Sequence, residues 1–318
     1  MTKTLPVSRY PKVTVVGAGN VGATTALLLL MKELANVVLI DVAEGLARGK
    51  ALDLMHMRSN EHFGPTVVGT GSYEDTADSD IVVVTAGVPR KPGMTREDLA
   101  GINASIVHSV LKGALAESPN ALYLFVTNPL DVMTNLAVQL AGLPPQRLIG
   151  MGGVLDTARF TYAISEATGA APRDIKALVI GAHGEAMVPL VSLATVAGRP
   201  LLELITPGQL AQITEATVQG GAAVVKLLET GSAFYAPASS IVQMVKALLE
   251  GSATLHSSCV RLNGEYGISG VSLCVPVLLG SEGVREIIEL PLSPEEGEQL
   301  HASAESTKAQ LERLLQEG

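Results

Sequence analysis

The chain has 318 residues, 47% of them hydrophobic, and a net charge of −9. That length supports a large core and about two domains, while the acidic balance argues against a nucleic-acid or anionic-membrane surface. Tryptophan is absent and aromatics are 3%, which leaves little for stacking on bases.

In chain order, the first ten residues lack the apolar region and small-residue cleavage site of a leader. The apolar stretch 26–31 falls far short of the ~20 residues that cross a bilayer, so a soluble, cytoplasmic protein is expected. The first strand is expected at 12–16. It runs directly into Gly17, Ala18, Gly19, Asn20, Val21 and Gly22, which fit G-x-G-x-x-G and open a helical run at 23–30. Such glycines permit a tight turn, close approach of backbone to a pyrophosphate, and close helix–strand packing. The helix N-terminus then stabilises the phosphate charge. A second strand at 37–40 ends on Asp41, 19 residues after Gly22. A carboxylate there accepts bonds from ribose hydroxyls and repels a 2′-phosphate. Val42 and Ala43 bring no cation to offset that, so NAD is expected over NADP.

Further strands are expected at 66–69, 81–85, 121–126 and 147–149. Continuous apolar runs such as 81–84 suit strands buried on both faces of a parallel sheet. Their alternation with helices argues for a doubly wound α/β domain. The loop 86–96 carries Arg90, Lys91 and Arg96 among two prolines and two glycines. It follows the carboxyl end of a strand, where ligands bind in such sheets. A solvated charged loop is one reading; a lid bringing Arg90 and Arg96 onto an anionic substrate is the other. Asn128 ends the next strand, either to bond a substrate or cofactor or to start an Asn-Pro turn.

The domain boundary is expected near 150, giving a cofactor-binding domain at 1–150 and a substrate-binding, catalytic domain at 151–318. The second half begins with a helix around 156–166. Strands follow at 175–180 and 187–194, then helices at 207–229 and 239–249. Paired strands are expected at 270–279 and 284–290. Ser293, Pro294 and Glu296 form the start of a last helix, with a serine cap and a capping-box glutamate. The fold class is therefore α/β: an N-terminal doubly wound parallel sheet of the Rossmann type with a C-terminal α+β domain. Cys259 and Cys274 make no disulfide framework and fit no zinc spacing, so they are expected to be reduced and structural, and no metal is expected.

Asp156 and Arg159 are three residues apart, so on a helix they project from one face. His183 lies in Gly181-Ala182-His183-Gly184-Glu185, where backbone bulk is small. Alone, the first pair reads as a surface ion pair and the histidine as structural. Together they offer an imidazole oriented by a carboxylate, which is a proton-transfer device, and an arginine able to grip a substrate carboxylate. The histidines at 56, 62, 108, 256 and 301 have no such support and are read as surface or packing residues.

These motifs, with the late segment 275–280, resemble the lactate/malate dehydrogenase family over nearly the whole chain. The resemblance implies NAD-dependent hydride transfer with His183 as proton acceptor and Asp156 orienting it. It implies that Arg159 binds the C1 carboxylate, Arg96 polarises the reacting carbonyl, and Asn128 holds the substrate oxygen. Asn103, Val126, Thr127 and Asn128 would touch the cofactor. Glutamine at position 90 goes with lactate in that family and arginine with malate. A second buried cation rewards a second carboxylate, and a methyl group would leave it unpaired, so malate and oxaloacetate are expected. Ser232 and Ala233 also fit the malate branch. A homotetramer or homodimer is implied, with no nucleic-acid or membrane partner. The family usually has Asp where this chain has Glu185. Three other readings compete: a dehydrogenase of lactate or another 2-hydroxy acid, an NAD-dependent glycosidase needing a metal held by Cys and His, and a non-catalytic NAD sensor.

Overall fold

The computed structural model describes residues 10–89 and 94–317. Its backbone is a long sheet built in two styles. Strands β1 (Lys12–Val16), β2 (Asn36–Ile40), β3 (Val67–Thr70), β4 (Ile81–Val84), β5 (Leu122–Phe125) and β6 (Leu148–Gly150) are parallel, in spatial order β3-β2-β1-β4-β5-β6. This is the doubly wound order, and it puts the carboxyl ends of β1 and β4 side by side where the strand order reverses. β4 and β5 are buried along their whole length, as continuous apolar runs require. Helices α1 (Asn20–Met31), α2 (Glu44–Glu61), α3 (Arg96–Glu117) and α4 (Leu130–Leu140) make the crossovers. The span Glu97–Glu117 of α3 is long and apolar enough, by length and composition, to cross a bilayer. In this fold α3 packs against α4, β4 and the C-terminal helix.

After α5 (Gly153–Thr168), the chain forms short strands β7 (Ile175–Lys176), β8 (Val179–Gly181), β9 (Met187–Pro189), β10 (Thr195–Val196) and β11 (Arg199–Pro200). Helices α6 (Pro207–Leu228) and α7 (Tyr235–Glu250) follow, then β12 (His256–Asn263), β13 (Ser269–Gly280), β14 (Gly283–Ile287) and α8 (Pro294–Glu317). β12 joins the parallel sheet antiparallel to β6 through Cys259 and Gly150. β13, β8 and β9 extend it further, while β14 pairs with β13. One sheet therefore runs from the glycine-rich loop to the His183 segment.

Two sequence expectations need correction. The strand expected at 175–180 is two strands in two sheets: β7 pairs with β10, while β8 pairs with β13 and β9. The strand expected at 187–194 stops at Pro189, and Val191–Leu193 is a 3-10 turn. β12 had no sequence expectation, and α7 starts earlier than 239, at Tyr235. The pairing of β13 with β14 is as expected. So is the capping box, in which Ser293 and Glu296 exchange backbone–side-chain bonds of 2.9 and 3.2 Å.

Candidate active site

The turn after β1 is shaped by its glycines. Gly17 has φ +106°, a conformation that disfavours any side chain. A Cβ on Gly22 would come within 1.9 Å of the Gly17 carbonyl oxygen, so α1 can start this close to β1 only with glycine there. At Gly19 an added Cβ would meet nothing within 4 Å, which leaves the outer face of the loop open. The α1 N-terminus has no side-chain cap and no acidic residue in its first turn. Its free N–H groups and partial positive charge suit a phosphate. Asp41 accepts from the Ala18 N–H at 2.7 Å through Oδ2 and from the Ala43 N–H at 2.9 Å through Oδ1. A carboxylate has about four lone-pair sites, so acceptor capacity remains for ribose hydroxyls. The residues present fit a dinucleotide.

Asn103 is 1% exposed. Its amide accepts from the Val88 N–H at 2.9 Å and donates to the Val88 and Asn128 carbonyls at 3.2 and 2.6 Å. It braces the loops after β4 and β5 against each other. Thr127 donates to the Ala86 carbonyl at 2.6 Å and ties the same two loops. The Asn128 side chain is exposed at the mouth of the site, and Val126 is half-buried.

Asp156 joins the catalytic candidates. It lies in the first turn of α5 and is 1% exposed. Its Oδ2 is 2.8 Å from His183 Nδ1, and its Oδ1 accepts from Arg159 Nη1 at 3.1 Å. The carboxylate is thus divided between an imidazole and a guanidinium, one oxygen each. Arg159 lies against Gly220 and Gly221 of α6, where added Cβ atoms would be 3.0 and 3.3 Å from its side chain. The imidazole keeps 18% exposure, so Nε2 can meet a ligand while Nδ1 is engaged. Burial alone would lower the His183 pKa. The charge and hydrogen bond of Asp156, with the charge of Asp131, outweigh that and raise it above 6.5. Gly184 has φ +108°, so the backbone turns directly after the histidine as a larger residue could not.

Arg90 lies outside the described residues, as do Lys91 and Gly93 of the same loop and the side chain of Arg96. Glu185 is exposed at the site. A cleft of about 730 Å³ opens beside His183, lined by Leu99, Asn128, Asp131, Gln310 and Arg313 among others.

Asp131 was missed in the sequence. It is a lone acid near the start of the apolar helix α4, and its Oδ2 accepts the His183 backbone N–H at 2.7 Å. A charged residue in a mostly apolar helix is the signal that could have found it, because such groups are rarely buried without a partner. Burial raises its pKa. Cys259 and Cys274 are buried, free and directly opposed on β12 and β13. Burial raises the Cys259 pKa; at Cys274 the Cys259 hydrogen bond lowers it, but burial and nearby carboxylates make the net shift upward. The Cys274 thiol contacts Asp131 Oδ1 at 3.9 Å. Folding therefore brings both cysteines to Asp131, with their sulfurs and a carboxylate oxygen within 4.8 Å of one another. Nothing in their sequence spacing announced it.

Comparison with known proteins agrees over the length of the chain. The NAD-binding domain of the lactate/malate dehydrogenases matches residues 11–150, and the α/β C-terminal domain of the same enzymes matches residues 153–317. A malate dehydrogenase of Synechocystis sp. is 49% identical over 304 residues, 96% of this chain and 94% of that protein. The crystal structure of Cryptosporidium parvum malate dehydrogenase superposes with a TM-score of 0.94 at 40% identity, covering 96% of this chain and 99% of that one. A Cryptosporidium parvum lactate dehydrogenase, solved with lactic acid and the NAD cofactor, gives 0.93 at 37% identity, over 96% and 98%.

Proposed function

We propose that this chain, which belongs to the lactate/malate dehydrogenase family, interconverts (S)-malate and oxaloacetate, with NAD as its cofactor. The observation that carries the chemistry is the Asp156 bridge, which holds an imidazole and a guanidinium side by side. NAD, when bound, supplies the acceptor for the substrate's hydride. Residues 1–150 bind it, and residues 151–318 hold the substrate. In the oxidation direction His183 is neutral, with Nδ1–H donated to Asp156 and Nε2 free to take the hydroxyl proton. The Asp156 charge then stabilises the imidazolium that forms, so His183 and Asp156 act as one relay. Arg159 is already oriented by Asp156 and presents its remaining N–H groups to the C1 carboxylate. Arg96 polarises the substrate oxygen as charge develops there, and Asn128 at the cleft mouth holds that oxygen in line.

The choice of malate over lactate rests on Arg90 and on relatives named malate dehydrogenase at 45–49% identity. Superposition does not separate the two, since lactate dehydrogenases match this fold almost as well. Arg90 supplies the charge for a second carboxylate; pyruvate would leave it desolvated and unpaired. The test is oxidation of NADH by oxaloacetate and by pyruvate, side by side. Fast turnover with oxaloacetate alone is expected, and a preference for pyruvate would overturn the substrate. We also propose self-association in the cytoplasm as a homodimer or homotetramer. Leu46 and Leu52 of α2 and Leu227 of α6 are 44%, 59% and 83% exposed, and a monomer in sedimentation would refute it.

A further inference from the structure

Lys50 lies on α2, and no sequence motif includes it. Its Nζ donates to the carbonyl oxygen of Ala18 at 2.8 Å. Ala18 is the second residue of the glycine-rich turn and is 0% exposed. Its N–H is held by Asp41 at 2.7 Å. A carboxylate and an ammonium thus fix both polar backbone groups of one residue, from two different elements.

The charge distribution is also informative. Lys50 is half-buried and has no ion-pair partner among the described residues. Its helix neighbours Glu44 and Arg48 pair with each other instead, at 3.3 Å. A half-buried ammonium without a carboxylate is unusual unless something else supplies negative charge. The nearby α1 N-terminus has neither an acidic first-turn residue nor a capping side chain. The Asp41 carboxylate at this turn is already engaged by the Ala18 and Ala43 N–H groups, so Lys50 and the helix start add positive potential with no further acid of their own.

We propose that Lys50 is a positioning residue of the dinucleotide site, fixing the Ala18 peptide so that the turn's N–H groups face the diphosphate and adding the positive charge that the diphosphate neutralises. This rests on the chain binding NAD and does not depend on the identity of the hydroxy acid. The carbonyl of Ala18 would otherwise be free to rotate its peptide, and the next N–H groups with it. A charge-assisted bond to that oxygen restricts the turn before the ligand arrives.

The test is NADH binding to the full-length protein by nucleotide fluorescence, with no dicarboxylate present, so that the result is separable from the malate reading. Lys50→Met keeps the aliphatic stem and removes the charge. Its NADH Kd should rise about tenfold, while turnover at saturating NADH changes little. Lys50→Arg should recover part of the affinity. The Kd should also depend less on ionic strength in the methionine variant than in the native chain, because screening acts on the charge that was removed. A purely structural role would leave the two salt dependences equal. If Lys50→Met fails to fold, Lys50→Gln replaces it: the amide is polar but carries no charge, so weakened binding with a flattened salt dependence is again expected. Native NADH affinity and native salt dependence in either folded variant would overturn the proposal.

Discussion

Asp156→Asn tests the site at its centre. The native carboxylate gives one oxygen to His183 Nδ1 at 2.8 Å and the other to Arg159 Nη1 at 3.1 Å. Asparagine has one acceptor oxygen for the same two donors, so one clamp must be lost whichever way the amide turns. The charge that stabilises the imidazolium is lost in both cases. A hydrogen bond to a charged group contributes about 1.5–3 kcal/mol, and about 1.4 kcal/mol is tenfold in rate. Turnover of oxaloacetate reduction at neutral pH should therefore fall about 10- to 100-fold. The pH profile carries the sharper sign. In the proposed relay, reduction needs protonated His183 and oxidation needs it neutral. Asp156 is the chief cause of the raised His183 pKa, against burial, so the variant's reduction limb should move to lower pH. Stability follows the same direction. A histidine whose pKa is raised on folding adds stability below its unfolded pKa, and that contribution disappears as pH rises through the folded value. In the variant the loss between those values should shrink. NADH affinity should stay native. Native turnover together with a native pH midpoint would refute the role of Asp156.

Two further predictions concern specificity. Arg90→Gln should shift the ratio of kcat/KM for oxaloacetate over pyruvate toward pyruvate by about 100-fold or more, since the proposed partner of the second carboxylate loses its charge; an unchanged ratio would assign specificity elsewhere. Asp41→Ala removes the acceptor of the Ala18 and Ala43 N–H groups and the charge that opposes a 2′-phosphate. The preference for NADH over NADPH, measured as kcat/KM, should narrow by about tenfold, and a native preference in the variant would refute it.

What was legible in the sequence was local. The Gly17–Gly22 turn, the Asp156/Arg159 spacing and the short Gly181–Glu185 segment each place their chemistry within one turn or one loop, so residue order alone points to it. Contacts made by tertiary packing were not legible. Lys50 reaches Ala18 across 32 residues, and Asp131 reaches the His183 N–H across 52. β12 escaped notice because Ser257 and Ser258 are polar yet buried, with the Ser257 hydroxyl bonded to the Val179 carbonyl; their polarity hid a strand that is buried over its first five residues. The run 175–180 read as one strand because it is apolar except at Lys176, but exposed Lys176 belongs to the edge of the small sheet while Val179 and Ile180 enter the large one.

The same packing makes Gly152 a sensitive position. It precedes α5, and the space around it limits what can stand there. A Cβ there would lie 2.5 Å from Leu130 Cδ2, 3.0 Å from Cys274 Sγ and 3.2 Å from His183 Cβ. Leu130 is 2% exposed and cannot swing outward freely, and Cys274 is fully buried. The strain must therefore spread to the Asp131–Cys274 contact or to His183 itself. Gly152→Ala should cost about 1–3 kcal/mol as an overpacked core. A shift of the imidazole of less than 1 Å should lower turnover about tenfold. The loop after β1 is made of other elements, so NADH affinity should remain native. Native turnover and native thermal stability in Gly152→Ala would show that Leu130 alone absorbs the methyl group, and that the His183 backbone is not held by the packing beneath it.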